Sequence, residues 1–314
     1  MKFISHRPIC WLANGVFLCV KLPCLYLFIL ALLLTGCASV NPVTGVPDKA
    51  YRGVVYERPR QGERYAVDIY VPQRKDPATG KPVALAEPPP LIVWYHGGGW
   101  RYGHRRLFFM TRPLTEQGFA VATVSYRLSW RDKWPKQATD VHTSLDFLRA
   151  RGREFGYDAT RLGVAGSSAG GHLAAYAGLT EGKPKIDAVV ALYPPTDLVI
   201  LGEPHVKKGD HNLLSDLFGG KMGEPFVQKL AYEASPVNYV TPNGPPFLLV
   251  HGSDDPTVPL EQSQMLNRKL FAAGVESRLI IVPGAKHGFS LDEEQLQQVS
   301  DFFKKHLMPE KAKR

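Results

Sequence analysis

A five-residue segment, Gly-Ser-Ser-Ala-Gly at 166–170, constrains the fold of this chain more than any other stretch. It follows an apolar run that ends at Ala165 and precedes a stretch of small residues, 171–175. Glycines two residues on either side of Ser168 leave room for a crowded turn, because they carry no Cβ atom. The segment therefore predicts a strand, a sharp turn and a helix, with Ser168 at the turn. In a chain with 29 glycines, the same letters also fit an ordinary Gly-Ser turn.

Three further apolar runs each end in a segment with glycine or titratable residues. The run 91–95 leads into His-Gly-Gly-Gly-Trp at 96–100, and the run 247–250 leads into His-Gly-Ser-Asp-Asp at 251–255. The run 278–282 leads into a segment that contains His287. We interpret each run as a buried strand, so each segment follows the end of a strand. A serine, a carboxylate and a histidine in this chain order, each after a strand, are typical of serine-based nucleophilic catalysis.

With these four segments the sequence resembles the esterases of the α/β-hydrolase fold that carry an HGGG segment. This broad group contains hormone-sensitive-lipase-like carboxylesterases, feruloyl-esterase-like hydrolases and kynurenine-formamidase-like enzymes. The resemblance extends from about Tyr51 to Leu307. It implies an α/β-hydrolase fold, with a mostly parallel central sheet, helices on both faces and an inserted, cap-like segment.

The resemblance implies a role for each member of a Ser-His-Asp triad. Ser168 is the expected nucleophile, His287 the expected general base, and Asp255 the carboxylate that orients the histidine. The adjacent Asp254 is the alternative carboxylate. The spacing of the family motif after 251–252 favours Asp255.

The resemblance also implies how negative charge on the substrate oxygen is stabilised. The backbone N–H groups of Gly97, Gly98 and Ala169 form the expected oxyanion hole. The histidine at the start of this loop is expected to orient the loop rather than to act as a base. Trp100 and Tyr193 either line the substrate pocket or pack in the core.

Apolar runs alternate with helical patterns along most of the chain after residue 90. One helix is expected to begin at Pro135. Its apolar residues at helical spacing are Ala138, Val141, Leu145 and Leu148. The alternation predicts a mostly parallel sheet whose strands all point their carboxyl ends to one edge. Two antiparallel edge strands are expected at 51–57 and 65–71, followed by a proline-rich loop at 72–90.

Residues 51–314 are expected to form one domain. With 314 residues and 44% hydrophobic content, the chain is long enough to bury one large core. The segment 194–246 has no clean strand pattern and contains several glycines and prolines. A segment of this length at the active edge is expected to form a lid or pocket wall with short helices.

The first 37 residues have the features of a bacterial lipoprotein signal peptide. An uncharged apolar run, 22–34, follows Lys21 and leads into Leu-Thr-Gly-Cys at 34–37. These letters resemble a lipobox, in which Cys37 is lipidated and becomes the mature N-terminus. Residues 38–50 are then a tether, and Ala38 favours the outer membrane by resemblance to Gram-negative sorting. The alternative is an uncleaved anchor, since 22–40 is just long enough to span a bilayer.

Composition agrees with a location in the cell envelope. All four cysteines, at 10, 19, 24 and 37, lie at or before the predicted cleavage point, so the mature chain has no thiol to oxidise. The formal net charge of +9 falls to about +6 after loss of three cations from the signal segment, which fits an anionic membrane surface. Neither a nucleic-acid-binding motif nor a nucleotide or zinc motif is present, so we expect no nucleic acid, no cofactor and no metal.

The expected reaction is hydrolysis of a carboxylic ester through an acyl intermediate on Ser168. The substrate is expected to be a small-molecule or polymer-attached ester, and the chain is expected to contact the membrane through its lipid anchor. One alternative is amide or formamide hydrolysis on the same triad, as in arylformamidase-like or peptidase-like relatives. Another is a non-catalytic binding protein of hydrolase fold, which the presence of Ser168, Asp255 and His287 disfavours.

Overall fold

The computed structural model describes residues 11–13, 16–18, 41, 44–61, 63–106, 110–180, 186–208 and 211–308. The chain divides into two units, Met1–Ser39 and Val40–Arg314. In the first unit, strands β1 (Trp11–Ala13) and β2 (Val16–Leu18) form an antiparallel pair. The predicted apolar signal run and Cys37 lie outside the described residues. No helix within the described ranges is long and apolar enough to cross a membrane.

The second unit contains the central sheet. Its strands are β3 (Lys49–Glu57), β4 (Tyr65–Val71), β5 (Gln73–Lys75), β6 (Pro82–Ala84), β7 (Pro90–Tyr95), β8 (Ala120–Val124), β9 (Asp158–Ser167), β10 (Ala188–Leu192), β11 (Phe247–Gly252) and β12 (Ser277–Val282). Eight of them form one sheet in the order β12-β11-β10-β9-β7-β8-β4-β3. The pairs from β8 to β12 are parallel, whereas β3 with β4 and β4 with β8 are antiparallel. The predicted mostly parallel sheet is therefore confirmed.

The proline-rich stretch differs from the expected loop. β5 and β6 lie within it and pair antiparallel, apart from the large sheet. Proline is tolerated here because Pro82 is the first residue of β6. The ribbon has only two strands, so no central ladder needs the missing N–H. β3 also begins at Lys49, two residues before the predicted start of the domain.

Helices cover both faces of the sheet. They are α1 (Thr111–Glu116), α2 (Lys136–Ala150), α3 (Gly152–Phe155), α4 (Ala169–Thr180), α5 (Leu198–Lys208), α6 (Leu213–Phe218), α7 (Pro225–Ala234), α8 (Glu261–Ala272) and α9 (Glu293–Leu307). Every residue of β7, β8, β10 and β11 is buried, as expected for parallel strands covered on both sides.

Two apolar clusters fill the spaces between the sheet and its helices. Leu91 and Val93 of β7 point to the cluster that includes α2, α4 and α8. Ile92 and Trp94 point to the other cluster, which includes residues of α9 and of α1. This alternation follows from the two-residue period of a strand. The four apolar residues predicted for the helix after Pro135 are all buried in α2.

The segment 194–246 contains α5, α6 and α7, and α6 is fixed to the loops at the carboxyl edge of the sheet. Arg101 forms an ion pair with Asp216 of α6. The backbone N–H of Trp134 donates to the carbonyl oxygen of Leu217 at 2.9 Å. Short helices of this kind bury one side only and depend on such contacts for their position.

Candidate active site

Ser168 lies at the junction between β9 and α4, in a strained backbone conformation. β9 ends at Ser167, α4 begins at Ala169, and the φ angle of Ser168 is 53°. A residue other than glycine in this left-handed region costs free energy, so the surrounding structure must hold it there. The turn is the one predicted from the sequence.

The two glycines of the pentapeptide are required by close backbone contacts. A Cβ atom on Gly166 would overlap the carbonyl oxygen of Gly170, and one on Gly170 would overlap the carbonyl oxygen of Tyr95. No backbone atom can move easily out of a packed turn. The spacing of glycines around Ser168 therefore has a steric cause, namely the packing of the turn against the end of β7.

Ser168, His287 and Asp255 form a continuous chain of hydrogen bonds. Ser168 Oγ lies 2.8 Å from His287 Nε2, and His287 Nδ1 lies 2.7 Å from Asp255 Oδ2. The Asp255 side chain is fully buried, whereas that of His287 is 20% exposed. The backbone N–H groups of Thr257 and Val258 both donate to Asp255 Oδ1 at 2.9 Å, which fixes the carboxylate.

The alternative carboxylate, Asp254, lies elsewhere. Its side chain is exposed and accepts a hydrogen bond from Ser253 Oγ at 2.6 Å. The structure therefore brings Asp255, and not Asp254, to His287.

A second histidine lies on the other side of the Asp255 carboxylate. His251 is buried at the end of β11, and its Nε2 donates to the carbonyl oxygen of Val258 at 2.8 Å. Its Nδ1 accepts from Ser263 Oγ at 2.7 Å. Burial lowers the pKa of His251, so the ring is neutral. No motif predicts this contact, because the residue precedes a glycine in a common strand-end segment.

The HGGG loop follows β7 and packs on Ser168. A Cβ atom on Gly97 would lie 2.9 Å from the carbonyl oxygen of Ser167 and 3.5 Å from Cβ of Ser168. Gly98 has a φ angle of 114°, and its carbonyl oxygen accepts from the N–H of Tyr102 at 2.8 Å. The loop thus makes a tight turn directly above Ser168.

His96 holds the beginning of this loop as a neutral ring. It stacks on Tyr126, with ring centroids 4.3 Å apart, and its Nδ1 donates to the carbonyl oxygen of Gly97 at 2.7 Å. The Tyr126 hydroxyl donates to the carbonyl oxygen of His96 at 2.8 Å. Burial lowers the pKa of His96 to about 4. These contacts fit the expected role of His96 in orienting the loop. Among the described hydrogen bonds, none joins His96 to Ser168.

Trp100 and Tyr193 are both packed residues. Trp100 is 3% exposed, and its Nε1 donates to His172 Nδ1 at 3.1 Å. His172 Nε2 in turn donates to the carbonyl oxygen of Ala234, and burial lowers the His172 pKa to about 4. Tyr193 packs edge-on against the His287 ring at 4.9 Å. Of the two possibilities for these residues, packing is the one that the structure shows.

A hydroxyl, an imidazole, a carboxylate and backbone N–H groups lie close together at this edge of the sheet. Within the described ranges, no group of histidine, cysteine, aspartate and glutamate side chains has the arrangement of a metal site.

A parallel sheet covered by helices, with a serine on a strained turn after a central strand, defines an α/β-hydrolase. The model of the BD-FAE family matches residues 67–270, and the chain belongs to this family.

Known proteins agree with this assignment. Esterase LipC of Mycobacterium tuberculosis is 32% identical over 223 residues, which are 65% of this chain and 54% of LipC. Esterase LipQ of the same organism is 28% identical over 249 residues, 73% of this chain and 55% of LipQ. The chain thus spans about half the length of these two curated relatives. A solved structure described as a truncated form of a carbohydrate esterase from gut microbiota has a TM-score of 0.70 and 25% identity, and the match covers 83% of this chain and 96% of that one.

Proposed function

We propose that this protein is a serine hydrolase that cleaves carboxylic esters through an acyl-enzyme intermediate on Ser168. The observation that carries the proposal is the hydrogen-bonded chain Ser168–His287–Asp255 at the strained turn after β9. The names of the esterase relatives support the ester as the bond that is cleaved. The structural similarity to a carbohydrate esterase supports a polymer-attached ester as one possible substrate class, and a small-molecule ester is the other.

In the first half of the reaction, His287 Nε2 takes the proton from Ser168 Oγ as that oxygen attacks the ester carbonyl carbon. The positive charge on the imidazole is stabilised by Asp255, whose Oδ2 accepts from Nδ1 at 2.7 Å. The tetrahedral intermediate then collapses, and His287 gives the proton to the departing alcohol oxygen. In the second half, His287 takes a proton from water as the water oxygen attacks the acyl carbon. The second tetrahedral intermediate then collapses, the bond between Ser168 Oγ and the acyl carbon breaks, and His287 returns the proton to Ser168 Oγ as the carboxylic acid leaves.

The negative oxygen of each intermediate is held by backbone N–H groups of Gly97, Gly98 and Ala169. Ala169 is the first residue of α4, where the N–H has no acceptor within the helix and the helix dipole favours negative charge. Gly97 packs against Ser168, so its backbone borders the same space. Each such donor contributes about 3 kcal/mol to lowering the barrier.

The test is turnover of p-nitrophenyl esters from acetate to palmitate by the full chain and its Ser168→Ala variant, with an acyl-formamide beside them. Loss of turnover in Ser168→Ala, with most of it retained in Ser167→Ala, is the expected result. The neighbouring serine is a matched control, because it lies one residue before the turn and its hydroxyl does not contact His287 in the described hydrogen bonds. Equal turnover in wild type and Ser168→Ala would contradict the proposal. Hydrolysis of the formamide alone would favour amide chemistry on the same residues.

We also propose that the protein is a lipoprotein of the bacterial cell envelope, anchored through Cys37, with its catalytic domain outside the cytoplasm. The sequence supports this through the apolar run 22–34 and the Leu-Thr-Gly-Cys segment that follows it. The modest basic excess of the mature chain adds an electrostatic attraction for an anionic surface.

A further inference from the structure

A cavity of about 290 Å³ lies beside the HGGG loop at the carboxyl edge of the sheet. The loop after β7, the segment before β4 and the loop after β8 all contribute to its lining. Its lining includes charged, titratable and aromatic side chains, namely Glu63, Arg64, His104, Arg105, Trp130 and Arg131. None of them belongs to the triad or to the expected oxyanion hole.

The cavity is close to the nucleophile. β9, β7 and β8 are neighbours in the sheet, and adjacent strands lie about 4.8 Å apart, so the end of β8 is about 10 Å from the end of β9. His96 forms part of the cavity wall, and the next residue, Gly97, packs on Ser168. A substrate whose ester carbonyl lies at Ser168 can therefore place another group in this cavity.

The charged residues of the lining are mainly cationic. The lining contains three arginines, at 64, 105 and 131, and one carboxylate, Glu63. Arg105 is held in place, because its Nε donates to the buried Asp68 carboxylate at 2.8 Å. Burial, and after it the charges of Arg105 and Arg106, lowers the pKa of His104. Guanidinium groups bind carboxylates through paired hydrogen bonds.

Two further residues indicate more than a simple anion site. The Trp130 side chain is 60% exposed, and an exposed tryptophan offers a flat apolar face to a ring. The Glu63 side chain is 4% exposed, and its Oε1 accepts from Arg60 and Arg131. The other oxygen of Glu63, Oε2, is buried and has no hydrogen-bond partner within the described part of the chain. A buried carboxylate oxygen requires a donor, and a ligand hydroxyl can supply it.

We propose that this cavity is a subsite for a carboxylate-bearing ring of the substrate, with the carboxylate on the arginines and the ring on Trp130. This proposal rests on the proposed ester hydrolysis, since it assigns a recognition site to the same substrate. The volume fits one ring rather than an extended chain. Acidic sugars and aromatic acids both carry a carboxylate beside a flat face, and the unpartnered oxygen of Glu63 favours a sugar, which brings hydroxyl donors.

The kinetic test uses four p-nitrophenyl esters whose acyl group carries a linker. The far end of the linker, about 10 Å from the carbonyl carbon, bears glucuronate, glucose, benzoate or phenyl. We expect the full chain to show a kcat/KM about tenfold higher for the glucuronate ester than for the glucose ester, as for one charge-assisted hydrogen-bonded pair. Arg64→Gln should remove this preference, whereas Trp130→Ala should lower kcat/KM for both sugar esters and keep the preference, because the ring contact is common to them. Arg58→Gln is the matched control, because Arg58 is an exposed arginine near the same segment and does not line the cavity, so it should keep the preference. A preference confined to benzoate over phenyl would assign the aromatic acid instead.

A binding measurement separates failure of the subsite from failure of the proposed reaction. Free glucuronate, benzoate and glucose are titrated by calorimetry into the full-length Ser168→Ala variant and into the same variant with Arg64→Gln. Binding of an acid, but not of glucose, that is lost with Arg64→Gln supports the subsite even if no ester is hydrolysed. Equal kcat/KM for both ester pairs, together with no acid binding by Ser168→Ala, would overturn the proposal.

Discussion

His251 Nε2 lies 3.4 Å from Oδ2 of Asp255, the same carboxylate oxygen that contacts His287 Nδ1 at 2.7 Å. The Asp255 carboxylate thus has an imidazole on either side of one oxygen. The backbone N–H groups of Thr257 and Val258 occupy its other oxygen. With two backbone N–H groups on Oδ1 and the His287 ring on Oδ2, the buried carboxylate has one orientation, and that orientation points Oδ2 to His287.

The first prediction concerns the two neighbouring carboxylates. Asp255→Asn should lower kcat for p-nitrophenyl acetate by about 10⁴-fold, because the amide no longer holds the His287 tautomer or stabilises its charge. Asp254→Asn is the matched control and should change kcat little, since its side chain is exposed and bonds only Ser253 in the described hydrogen bonds. Similar losses in the two variants would remove Asp255 from the triad.

The second prediction concerns His251 as a positioning residue. His251→Leu removes the ring that lies 3.4 Å from Asp255 Oδ2 and that donates to the carbonyl oxygen of Val258, so the segment that carries the carboxylate is held less firmly. We expect kcat to fall by about tenfold with KM nearly unchanged, the size expected for one buried hydrogen bond. His251→Gln keeps an N–H donor and should recover part of the loss. Steady-state kinetics at fixed pH measures both constants. If KM rises and kcat stays constant in His251→Leu, the residue acts on the pocket and not on the carboxylate.

Much of the fold follows from local patterns in the sequence. The buried parallel strands are continuous apolar runs, and each ends where a glycine-rich or polar segment begins. The predicted bounds of β7 and β11 therefore agree with the structure to within about two residues. The glycine spacing around Ser168, together with the other segments that follow strands, predicts the sharp turn that the structure shows. The β5–β6 ribbon was missed because its stretch is rich in proline, which argues against a strand unless pairing is local.

Contacts between segments that only the folded chain brings together are not predicted by local patterns in the sequence. His251 and Asp255 come together only because the chain turns back after β11. The cavity lining joins Glu63 and Arg64, which precede β4, to Trp130, which follows β8. The antiparallel pairing of β4 with β8 brings these segments to one edge, and no motif records it.

The third prediction concerns the turn that holds Ser168. Gly170→Ala places a Cβ atom on the carbonyl oxygen of Tyr95, and neither backbone segment can yield. We expect a loss of about 3 kcal/mol or more in the free energy of unfolding, or insoluble protein. Gly244→Ala is the control, because the nearest atoms to its Cβ would lie at 3.3 Å and 3.4 Å. Denaturant unfolding of both variants against wild type checks this, and equal stabilities would contradict the steric argument.

The fourth prediction concerns the proposed lipid anchor. Cys37→Ala removes the only thiol of the predicted lipobox. The variant should therefore be found in the soluble fraction rather than in the detergent-extracted membrane fraction, and it should no longer incorporate labelled palmitate. Cys24→Ala is the matched control, because it lies inside the apolar run and outside the motif. Retention of Cys37→Ala in the membrane without label would favour an uncleaved anchor.

The last prediction concerns stability between pH 7 and pH 5. Burial lowers the pKa of both His96 and His172 from 6.5 to about 4, so the folded protein keeps these rings neutral while the unfolded chain binds protons. As the pH falls through 6.5, the unfolded state gains protons that the folded state does not, and the free energy of unfolding falls. We expect a loss of about 2 kcal/mol for each histidine by pH 5. His172→Gln should remove the share of one histidine, about 2 kcal/mol between pH 7 and pH 5. Trp100→Phe removes one hydrogen bond to the neutral His172 ring but keeps the ring and most of its burial, so it should keep most of the slope. Urea unfolding at pH 5, 6 and 7 measures it, and a slope in His172→Gln equal to that of wild type would show that this histidine is protonated in the fold.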